Sequence, residues 1–422
     1  MWLGPLLLIS IKSANDIEKL LSSKKLTQKL DIIYNLLKSS FGYGLIASSG
    51  EIHQNSHRLI QPTLHPTVIE TYIQVFQQHG EFLVENLREN VGTGTFNVLR
   101  KVNLCMIKVV LETVLDIKTS PEITDELLNA LIRFRDIFYT RVSRPWMHVE
   151  SLFKLTSLAK DEEETTKFFR GFIRNVIKMK NMELSMNSDD LEYTSNSKRK
   201  STLYFLLRKI KENPNVMSEE QLIEDISTLF LAAEDTTHVQ LCFSILMLGM
   251  HPHLQEKIYE EIQQVLGEST SFTISDLNQL CYLEMFLKEG LRLLPIPMTA
   301  RKVTEDFQFE NFVAPKGCYV VINVYELHRH PKYWEKPNEF YPEHFTPENV
   351  AKRHPSAWIP FSGGPRRCLG GKYAINLLKT IIINLLRSYK VEADGTLQDL
   401  IITGDMACRI KGGYPIRLKY RK

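Results

Sequence analysis

The sequence predicts a mainly α-helical fold with a minor β part, and three observations support this prediction. Apolar residues recur at helical spacing through residues 13–210, with few strand signals. A longer helical pattern begins at Ser218 and continues for about 30 residues, enough to cross a whole domain at ~1.5 Å per residue. Strand character is concentrated in the last third of the chain, where residues 317–324 and 412–418 are rich in β-branched and aromatic side chains.

Short sequence patterns predict where a strand, a loop and the long helix lie. Leu6–Ile11 is a short apolar run typical of a buried strand, and the polar stretch 187–200 predicts a surface loop. Ser218 and Gln221 have the spacing of a capping box, which places the start of the long helix there. The sequence therefore predicts a helix that ends near Met250, before a proline.

Three further helices are expected in the second half of the chain. Pro252–Leu266 has helical spacing and starts with a proline, and a helix over residues 282–294 ends at a proline-rich stretch. Residues 372–388 form another helical pattern. A chain of 422 residues with these elements can bury a large core. A prior of roughly 150 residues per domain predicts two or three domains, although it fails for some large single-domain enzymes.

Composition excludes several classes of function. The 52 basic and 49 acidic side chains give a net charge of +3, which does not favour a nucleic-acid partner. The six cysteines form no Cys-x-x-Cys pair, so neither a zinc ribbon nor a disulfide framework is indicated. The apolar N-terminal run is shorter than the ~20 residues that a membrane-spanning helix needs. We therefore expect membrane contact, if present, to be peripheral.

A cysteine framed by glycines is the most informative feature. Cys368 lies in the segment Phe-Ser-Gly-Gly-Pro-Arg-Arg-Cys-Leu-Gly-Gly, directly before a predicted helix. Glycines let backbone N–H groups approach a sulfur or a flat ligand closely. The helix start and the neighbouring Arg366 and Arg367 favour the thiolate. A buried cysteine in a tight turn is the plainer alternative.

This segment resembles the haem-binding signature of the cytochrome P-450 superfamily, Phe-x-x-Gly-x-Arg-x-Cys-x-Gly, at Phe361, Gly364, Arg366, Cys368 and Gly370. The resemblance implies a single cytochrome P-450 catalytic domain with a long central helix over the haem and small antiparallel sheets. It also implies that Cys368 is the axial ligand of the iron of haem b. A thiolate ligand donates electrons and favours O–O cleavage.

A second motif of the family is the pair Glu289 and Arg292, which lie one helical turn apart and can form an ion pair. Taken alone, such a pair is usually an exposed helix salt bridge of small value. The family's third member of this network is an arginine, and His344 stands at that position here. Its imidazole can donate a hydrogen bond but lacks the bidentate geometry of a guanidinium.

The middle of the long helix carries Glu-Asp-Thr-Thr at residues 234–237 between apolar flanks. This resembles the family's mid-helix acid and threonine motif, which implies that Asp235 and Thr236 conduct protons to the oxygen-binding side of the haem. Ala233 stands where the family usually has glycine. The alternative is a bent core helix without a ligand.

At residues 2–5, 50–51, 62–66 and 198–200 the sequence is most similar to the fatty-acid-hydroxylase-like branch of the superfamily called family 4. The chain departs from that branch in three respects. Ala232 replaces a glutamate that can bond covalently to haem in many members. A Trp-x-x-x-Arg pair that contacts a haem propionate is replaced by His53 and His57, while Arg301 and Arg366 are retained for that role. From the resemblance we expect the N-terminal membrane anchor that is usual in this branch to be missing here.

The resemblance implies a haem-thiolate monooxygenase that inserts one oxygen atom from O2 into an apolar substrate, which is fatty-acid-like, hormone-like or a xenobiotic. Two electrons would come from NADPH through a flavoprotein reductase, NADPH-cytochrome P-450 reductase, with cytochrome b5 as a further partner. The implied location is the cytoplasmic face of the endoplasmic reticulum membrane. The alternatives are a haem-dependent isomerase or dehydratase of peroxides, or a non-catalytic relic.

Two surface features follow from the same resemblance. The reductase is expected to dock beside the cysteine loop, where Arg367, Lys372 and Lys379 present positive charge. The stretch His328-Arg329-His330 fits no zinc-ligand spacing, and in the family it is a surface turn after a strand.

Overall fold

The computed structural model describes residues 1–3, 6–186, 201–404 and 406–421, so the predicted loop 187–200 lies outside the described residues. Helices dominate, as the sequence predicts. They are α1 (Ala14–Ser22), α2 (Asp31–Phe41), α3 (Gly50–Ile60), α4 (Pro66–Leu87), α5 (Leu99–Val114), α6 (Pro121–Ser143), α7 (Glu150–Phe153), α8 (Ser157–Met186), α9 (Thr202–Glu212), α10 (Glu219–Met250), α11 (Pro252–Leu266), α12 (Ile274–Gln279), α13 (Cys281–Leu293), α14 (Val324–Leu327), α15 (Pro347–Lys352) and α16 (Gly371–Ser388).

The strands are short. They are β1 (Trp2–Leu3), β2 (Leu6–Ile11), β3 (Phe96–Asn97), β4 (Met298–Lys302), β5 (Phe307–Gln308), β6 (Val313–Ala314), β7 (Tyr319–Asn323), β8 (Tyr389–Glu392), β9 (Ile402–Gly404), β10 (Cys408–Ile410) and β11 (Pro415–Tyr420). They form a four-stranded sheet in the order β1-β2-β7-β4, a three-stranded sheet β3-β11-β8, and two hairpin-like pairs. Pairing is antiparallel except between β2 and β7, which run parallel with Leu8 opposite Tyr319.

The contacts within the chain define two compact units. The first comprises Met1–Leu30, Gly80–Val102 and Thr236–Lys422 and contains every described strand. Its core includes Ile17, Leu20, Val320 and Ile322 between the four-stranded sheet and α1. The second unit comprises Asp31–His79 and Asn103–Asp235 and is helical. That residues 1–422 act as one catalytic domain stays a prediction.

The predicted elements correspond closely to the observed ones. β2 and α11 have the predicted bounds, and α13 and α16 begin one residue earlier than predicted. The long helix α10 is capped as expected, because the Gln221 N–H donates to the Ser218 hydroxyl at 3.1 Å. Among the residues described, no helix is both long and apolar enough to cross a bilayer.

Candidate functional site

The cysteine loop follows a single turn of 3-10 helix at Gly364–Arg366 and ends at the start of α16. The Cys368 N–H donates to the Phe361 carbonyl at 2.8 Å, and the Arg367 N–H donates to the Gly364 carbonyl at 3.1 Å. Gly364 has φ +63°, and a Cβ there would overlap the carbonyl group of Leu21. Glycine is therefore required at this position by both conformation and space. Phe361 lies against the other end of the loop, because a Cβ on Gly371 would meet its ring at 3.3 Å.

The sulfur of Cys368 faces backbone donors, as the sequence predicts. Its side chain is solvent-accessible, although protein groups crowd around the sulfur. This desolvation raises the pKa of the Cys368 thiol above its ordinary value, while the N–H groups of Gly370 and Gly371 and the charge of Lys29 act in the opposite direction. The free side chain is accordingly a thiol at neutral pH. Coordination to a metal ion would deprotonate it outright, and the same N–H donors would then hold the thiolate.

Cationic side chains gather beside this cysteine. Arg301 in β4 and Arg366 in the loop are both buried, and the Arg301 guanidinium is fixed by hydrogen bonds to the Thr299 hydroxyl and the Ala300 carbonyl, both at 3.0 Å. Lys29 joins them. Burial, followed by the charges of Arg366 and Arg301, holds its pKa well below the ordinary value, whereas Cys368 raises it. No sequence motif includes Lys29, and its polar neighbours in the sequence do not distinguish it from a surface lysine.

Glu289 and Arg292 form a buried ion pair rather than an exposed one. Both side chains are fully inaccessible, and two parallel hydrogen bonds of 2.8 Å join the guanidinium to the carboxylate. Arg292 also donates to the carbonyls of His328, Pro337 and Glu339. Burial alone would raise the pKa of Glu289, but hydrogen bonds from Arg292 and His344 outweigh it and hold that pKa below its ordinary value.

His344 completes this network in place of arginine. It is buried, and its Nδ1 lies 3.2 Å and 3.3 Å from the two carboxylate oxygens of Glu289. Its Nε2 accepts the Lys336 N–H at 3.4 Å, so the tautomer with a proton on Nδ1 is the one that satisfies both bonds. Arg353 covers the nearby Trp334 ring at 3.9 Å and donates to the His344 carbonyl. His344 thus joins the Glu289 and Arg292 network through one ring nitrogen.

The expectation of a surface turn at residues 328–330 is wrong for His328. Its side chain is fully buried, and its Nε2 accepts the Ile359 N–H at 2.9 Å. Burial, together with the charge of Arg292, lowers the pKa of His328 to about 3, so the ring is neutral. The residue links the end of α14 to the segment before the cysteine loop. A lone histidine after a strand gave no sign of this role.

The acidic pair in the middle of α10 is bound by an arginine that sequence analysis missed. Arg135 in α6 is buried and lies 3.0 Å from Asp235 and 3.3 Å from Glu234. Both carboxylates are buried, so one guanidinium serves two acids. Arg135 and Asp235 are 100 residues apart in the sequence, and no local pattern connects them.

Thr236 belongs to the open face of α10. Leu229, Ala232, Ala233 and Thr236 are half-buried, while Phe230, Leu231, Glu234, Asp235, Thr237 and His238 between and after them are buried. The half-buried residues follow the i, i+3, i+4, i+7 spacing of one helix face. That Thr236 and Asp235 conduct protons stays a prediction.

The two histidines that replace the family's propionate-binding pair lie on α3, in the second unit. His53 is buried and His57 half-buried, with ring centroids 5.6 Å apart. The expected role of the pair stays a prediction.

The predicted basic docking surface needs one correction. Lys379 is fully buried, and its ammonium group donates to the Leu277 carbonyl at 2.7 Å and to Glu284 at 2.8 Å. It contributes to the packing of α16 on α12 and α13 instead of to the surface, because its position on the helix faces the core. Arg367 and Lys372 are exposed, as predicted.

Comparison with known proteins identifies the family. A family model described as Cytochrome P450 matches residues 1–415. The chain belongs to the cytochrome P450 family. It is 32% identical to Cytochrome P450 4V2 of Mus musculus over 430 aligned positions, which cover all of this chain and 82% of that protein. It is 31% identical to Cytochrome P450 4c3 of Drosophila melanogaster, covering 100% of this chain and 81% of that relative.

The solved structure of the cytochrome P450DA heme domain supports the fold, with a TM-score of 0.83, 21% identity, and coverage of 98% of this chain and 88% of that chain. The family and its family-4 members confirm the predicted resemblance and make this P450 a haem-dependent monooxygenase, an oxidoreductase that works with redox partners on apolar substrates. The residues present fit a haem group: a thiol facing two N–H donors stands beside buried cations suited to carboxylates.

Proposed function

We propose that this P450 inserts one oxygen atom from O2 into an apolar organic substrate that is fatty-acid-like, hormone-like or a xenobiotic. Two electrons would reach it from NADPH through a flavoprotein reductase. The observation that carries the proposal is the cysteine loop, which directs the N–H groups of Gly370 and Gly371 at the sulfur of Cys368. Such donors stabilise a thiolate ligand without neutralising it.

Each residue of the proposed site has a distinct task. Cys368 would supply the axial thiolate, and Gly364 and Gly370 would allow the loop to pass close to the ligand. Phe361 packs against the loop where α16 begins and would hold it in place. Arg301 and Arg366 would bind the propionates, since guanidinium groups match carboxylate geometry. Haem, when bound, supplies the oxygen activation.

Proton delivery would depend on α10. The Thr236 hydroxyl lies on the half-buried face of the helix, directly after the buried Asp235. Arg135 holds the Asp235 carboxylate at 3.0 Å and would keep it oriented between turnovers. A hydroxyl next to a carboxylate can pass a proton from one to the other. The Glu289 and Arg292 pair has a structural task, because it ties α13 to the segment around His328 and Glu339.

The electron-transfer partner is proposed to be NADPH-cytochrome P-450 reductase, with cytochrome b5 as a second donor. Arg367 and Lys372 are exposed on either side of Cys368 in sequence and offer positive charge to an acidic partner. Complementary charge of this kind raises association rates and makes them sensitive to salt.

Peripheral attachment to the cytoplasmic face of the endoplasmic reticulum membrane is part of the proposal. Its support comes from the segment between α6 and α8, where four large apolar side chains are exposed: Trp146, Val149, Leu152 and Leu155. Exposed apolar groups clustered in one short segment are typical of an interaction surface, and tryptophan suits the bilayer interface.

The deciding experiment is the carbon-monoxide difference spectrum of the reduced, haem-supplemented protein beside its Cys368→Ser variant. We expect a strongly red-shifted Soret band that the variant lacks, with Cys281→Ser, an exposed cysteine, as the matched control. A wild-type band typical of histidine ligation, or failure to take up haem, would contradict the proposal and favour a non-catalytic relic. A thiolate band with peroxide rearrangement but no reductase-driven turnover would favour the isomerase.

A second test addresses the proton path. Thr236→Ala should raise peroxide release relative to product while leaving the thiolate spectrum intact, because the hydroxyl is lost but the loop is not. Thr237→Ala removes a buried hydroxyl from the next position and serves as the control. Unchanged coupling in Thr236→Ala, or equal uncoupling in both variants, would remove Thr236 from the path.

A further inference from the structure

We propose that Glu234 is a positioning residue of the proton path, because it serves as a second counter-ion of Arg135 and so lets Asp235 change its charge during turnover. Glu234 stands directly before Asp235, at the unspecified position of the mid-helix motif. The inference rests on the proposed role of Asp235 in proton delivery and assigns a task to an acid that the motif does not specify.

One nitrogen of Arg135 serves both acids. Its Nη1 donates to an Asp235 oxygen at 3.0 Å and to a Glu234 oxygen at 3.3 Å. An oxygen of Glu234 lies within 4.8 Å of an oxygen of Asp235. All three side chains are buried. Within the described part of the chain, the Arg135 guanidinium donates to no other group. Its hydrogen bonds are therefore divided between two neighbouring residues of α10.

This division gives Arg135 more counter-ions than its charge requires. A buried cation needs one carboxylate to offset its charge, and two lie within hydrogen-bonding distance of this one. A proton on Asp235 would still leave the Glu234 carboxylate beside the guanidinium. Arg135 thus stays paired in both charge states of Asp235.

Proton delivery requires both of these charge states. In the proposed path Asp235 takes up a proton from water and becomes neutral, then passes the proton to the Thr236 hydroxyl and is a carboxylate again. Without Glu234, the neutral state would leave the guanidinium buried without a counter-ion, which is strongly unfavourable. Arg135 would then hold Asp235 as a carboxylate. Glu234 removes this obstacle and need not touch the substrate itself.

A double-mutant cycle on the haem-loaded protein measures this exchange of counter-ions, with asparagine as the neutral stand-in for protonated Asp235. Urea midpoints are compared for Glu234→Gln, Asp235→Asn and the double variant. We expect each single variant to stay near the wild type, because Arg135 keeps one acid. The double variant should lose on the order of 1 M urea from its midpoint, because the guanidinium is then buried without a counter-ion.

Asp225→Asn is the matched control. Asp225 is an equally buried acid of α10, and its charged neighbour is Glu224 instead of Arg135. Its effect should add to that of Asp235→Asn without a further loss. Additive effects of Glu234→Gln and Asp235→Asn would overturn the inference. An equal extra loss in the control pair would also overturn it, because the loss would then not depend on Arg135.

Turnover provides a readout that a purely structural role would not change. Dodecanoic acid serves as the probe substrate, with the flavoprotein reductase as electron donor. In Glu234→Gln the coupled rate should fall about tenfold at an unchanged KM, because Arg135 holds Asp235 as a carboxylate. The solvent deuterium isotope effect on this rate should increase, because proton delivery becomes the slow step. A coupled rate and an isotope effect equal to those of the wild type would contradict the inference.

Asp235→Asn and Thr236→Ala keep this test distinct from that of the proposed function. If both variants turn over dodecanoic acid as the wild type does, the proton path itself is contradicted. If both are uncoupled while Glu234→Gln is not, the role of Glu234 alone is contradicted. The unfolding cycle does not depend on turnover and decides in either case whether Glu234 can replace Asp235 as the counter-ion.

Discussion

Two buried arginine clusters in the first unit differ in their charge balance. Arg292 lies against Glu289, and the pair is completed by His344 and by backbone carbonyls. Around Lys29 the strongest charged influences are two further cations, Arg366 and Arg301. In the first cluster a carboxylate neutralises the arginine, whereas in the second the two charges that act most strongly on Lys29 have the same sign as its own. Burial of an arginine therefore does not by itself indicate its function. The sign of the neighbouring charges distinguishes an arginine with a structural role from one that can bind an anion.

Removing one partner of the neutralised cluster should have the largest effect. Arg292→Met leaves the Glu289 carboxylate buried without its bidentate partner, which typically costs about 3–5 kcal/mol. We expect a large drop in the unfolding midpoint and in the yield of folded protein, measured by urea unfolding followed by circular dichroism. Lys288→Met, which removes a partly exposed cation four residues earlier on α13, is the control. A loss in Arg292→Met no larger than in the control would contradict a structural tie.

Asp225 in α10 is a buried acid that contrasts with Glu289. Its hydrogen bonds do not outweigh the effect of burial on its pKa. Burial raises its pKa to about 6, although Ser56, Gln221 and the Leu45 N–H act in the opposite direction. Because the folded-state pKa is raised, the chain loses stability as pH rises from about 4 to about 6 and gains nothing back above that range. Asp225→Asn should therefore be more stable than the wild type above pH 6, by up to about 3 kcal/mol, and equal to it near pH 4.

The measurement is the urea midpoint of both proteins across pH 4 to 8, with Asp161→Asn on the surface of α8 as the control. A gain that does not depend on pH would show that ionisation of Asp225 is not its origin.

Substitutions of His344 should have a smaller effect on stability. They test which contact this residue contributes to the cluster around Glu289. His344→Ala leaves part of the Glu289 carboxylate unsatisfied, at a cost of about 1–3 kcal/mol. Asparagine offers an amide donor near the position of Nδ1, so His344→Asn should recover much of the lost stability. Thermal unfolding of the three proteins checks the order. Equal losses in both variants would indicate that ring packing against Trp334, rather than the hydrogen bond to Glu289, is what His344 contributes.

Arg301→Met should produce the smallest change in folding and show its effect on haem instead. Because its cluster carries like charges, we expect unfolding of the haem-free protein to change by less than about 1 kcal/mol, while haem loss accelerates about tenfold. Arg292→Met should show the opposite pattern, with a large change in the free energy of unfolding and a small direct effect on the rate of haem loss. If Arg301→Met destabilises the chain as strongly as Arg292→Met, the distinction between the two clusters fails.

Much of this site is predictable because its motifs are local. The cysteine loop at Cys368 and the pair Glu289 and Arg292 are contiguous or one helical turn apart, so spacing alone brings their atoms together. The long helix and its cap follow from apolar spacing and a serine. In each case, residues that are close in the sequence are also close in the structure.

The residues that were missed all depend on long-range contacts. Arg135 meets Asp235 across 100 residues, and the His328 ring binds the backbone of Ile359 from a different element. Lys379 shows the opposite error, since a lysine on a helix is usually exposed but here reaches a carbonyl and Glu284 in the core. The charge and type of a residue do not show which distant element it will contact. Those contacts determine the roles of Arg135, His328 and Lys379.

The contact of Leu21 with Gly364 has a consequence for the order of events during synthesis. The start of the chain forms one wall of the cysteine loop, while β2 pairs in parallel with β7. Domains tend to fold as they leave the ribosome, from the N-terminus onward, at ~5–20 residues per second. β2 and the end of α1 are therefore made long before their partners, and their contacts with β7 and with the loop around Cys368 can form only after those segments have been made. The cysteine loop thus acquires its complete wall late in translation.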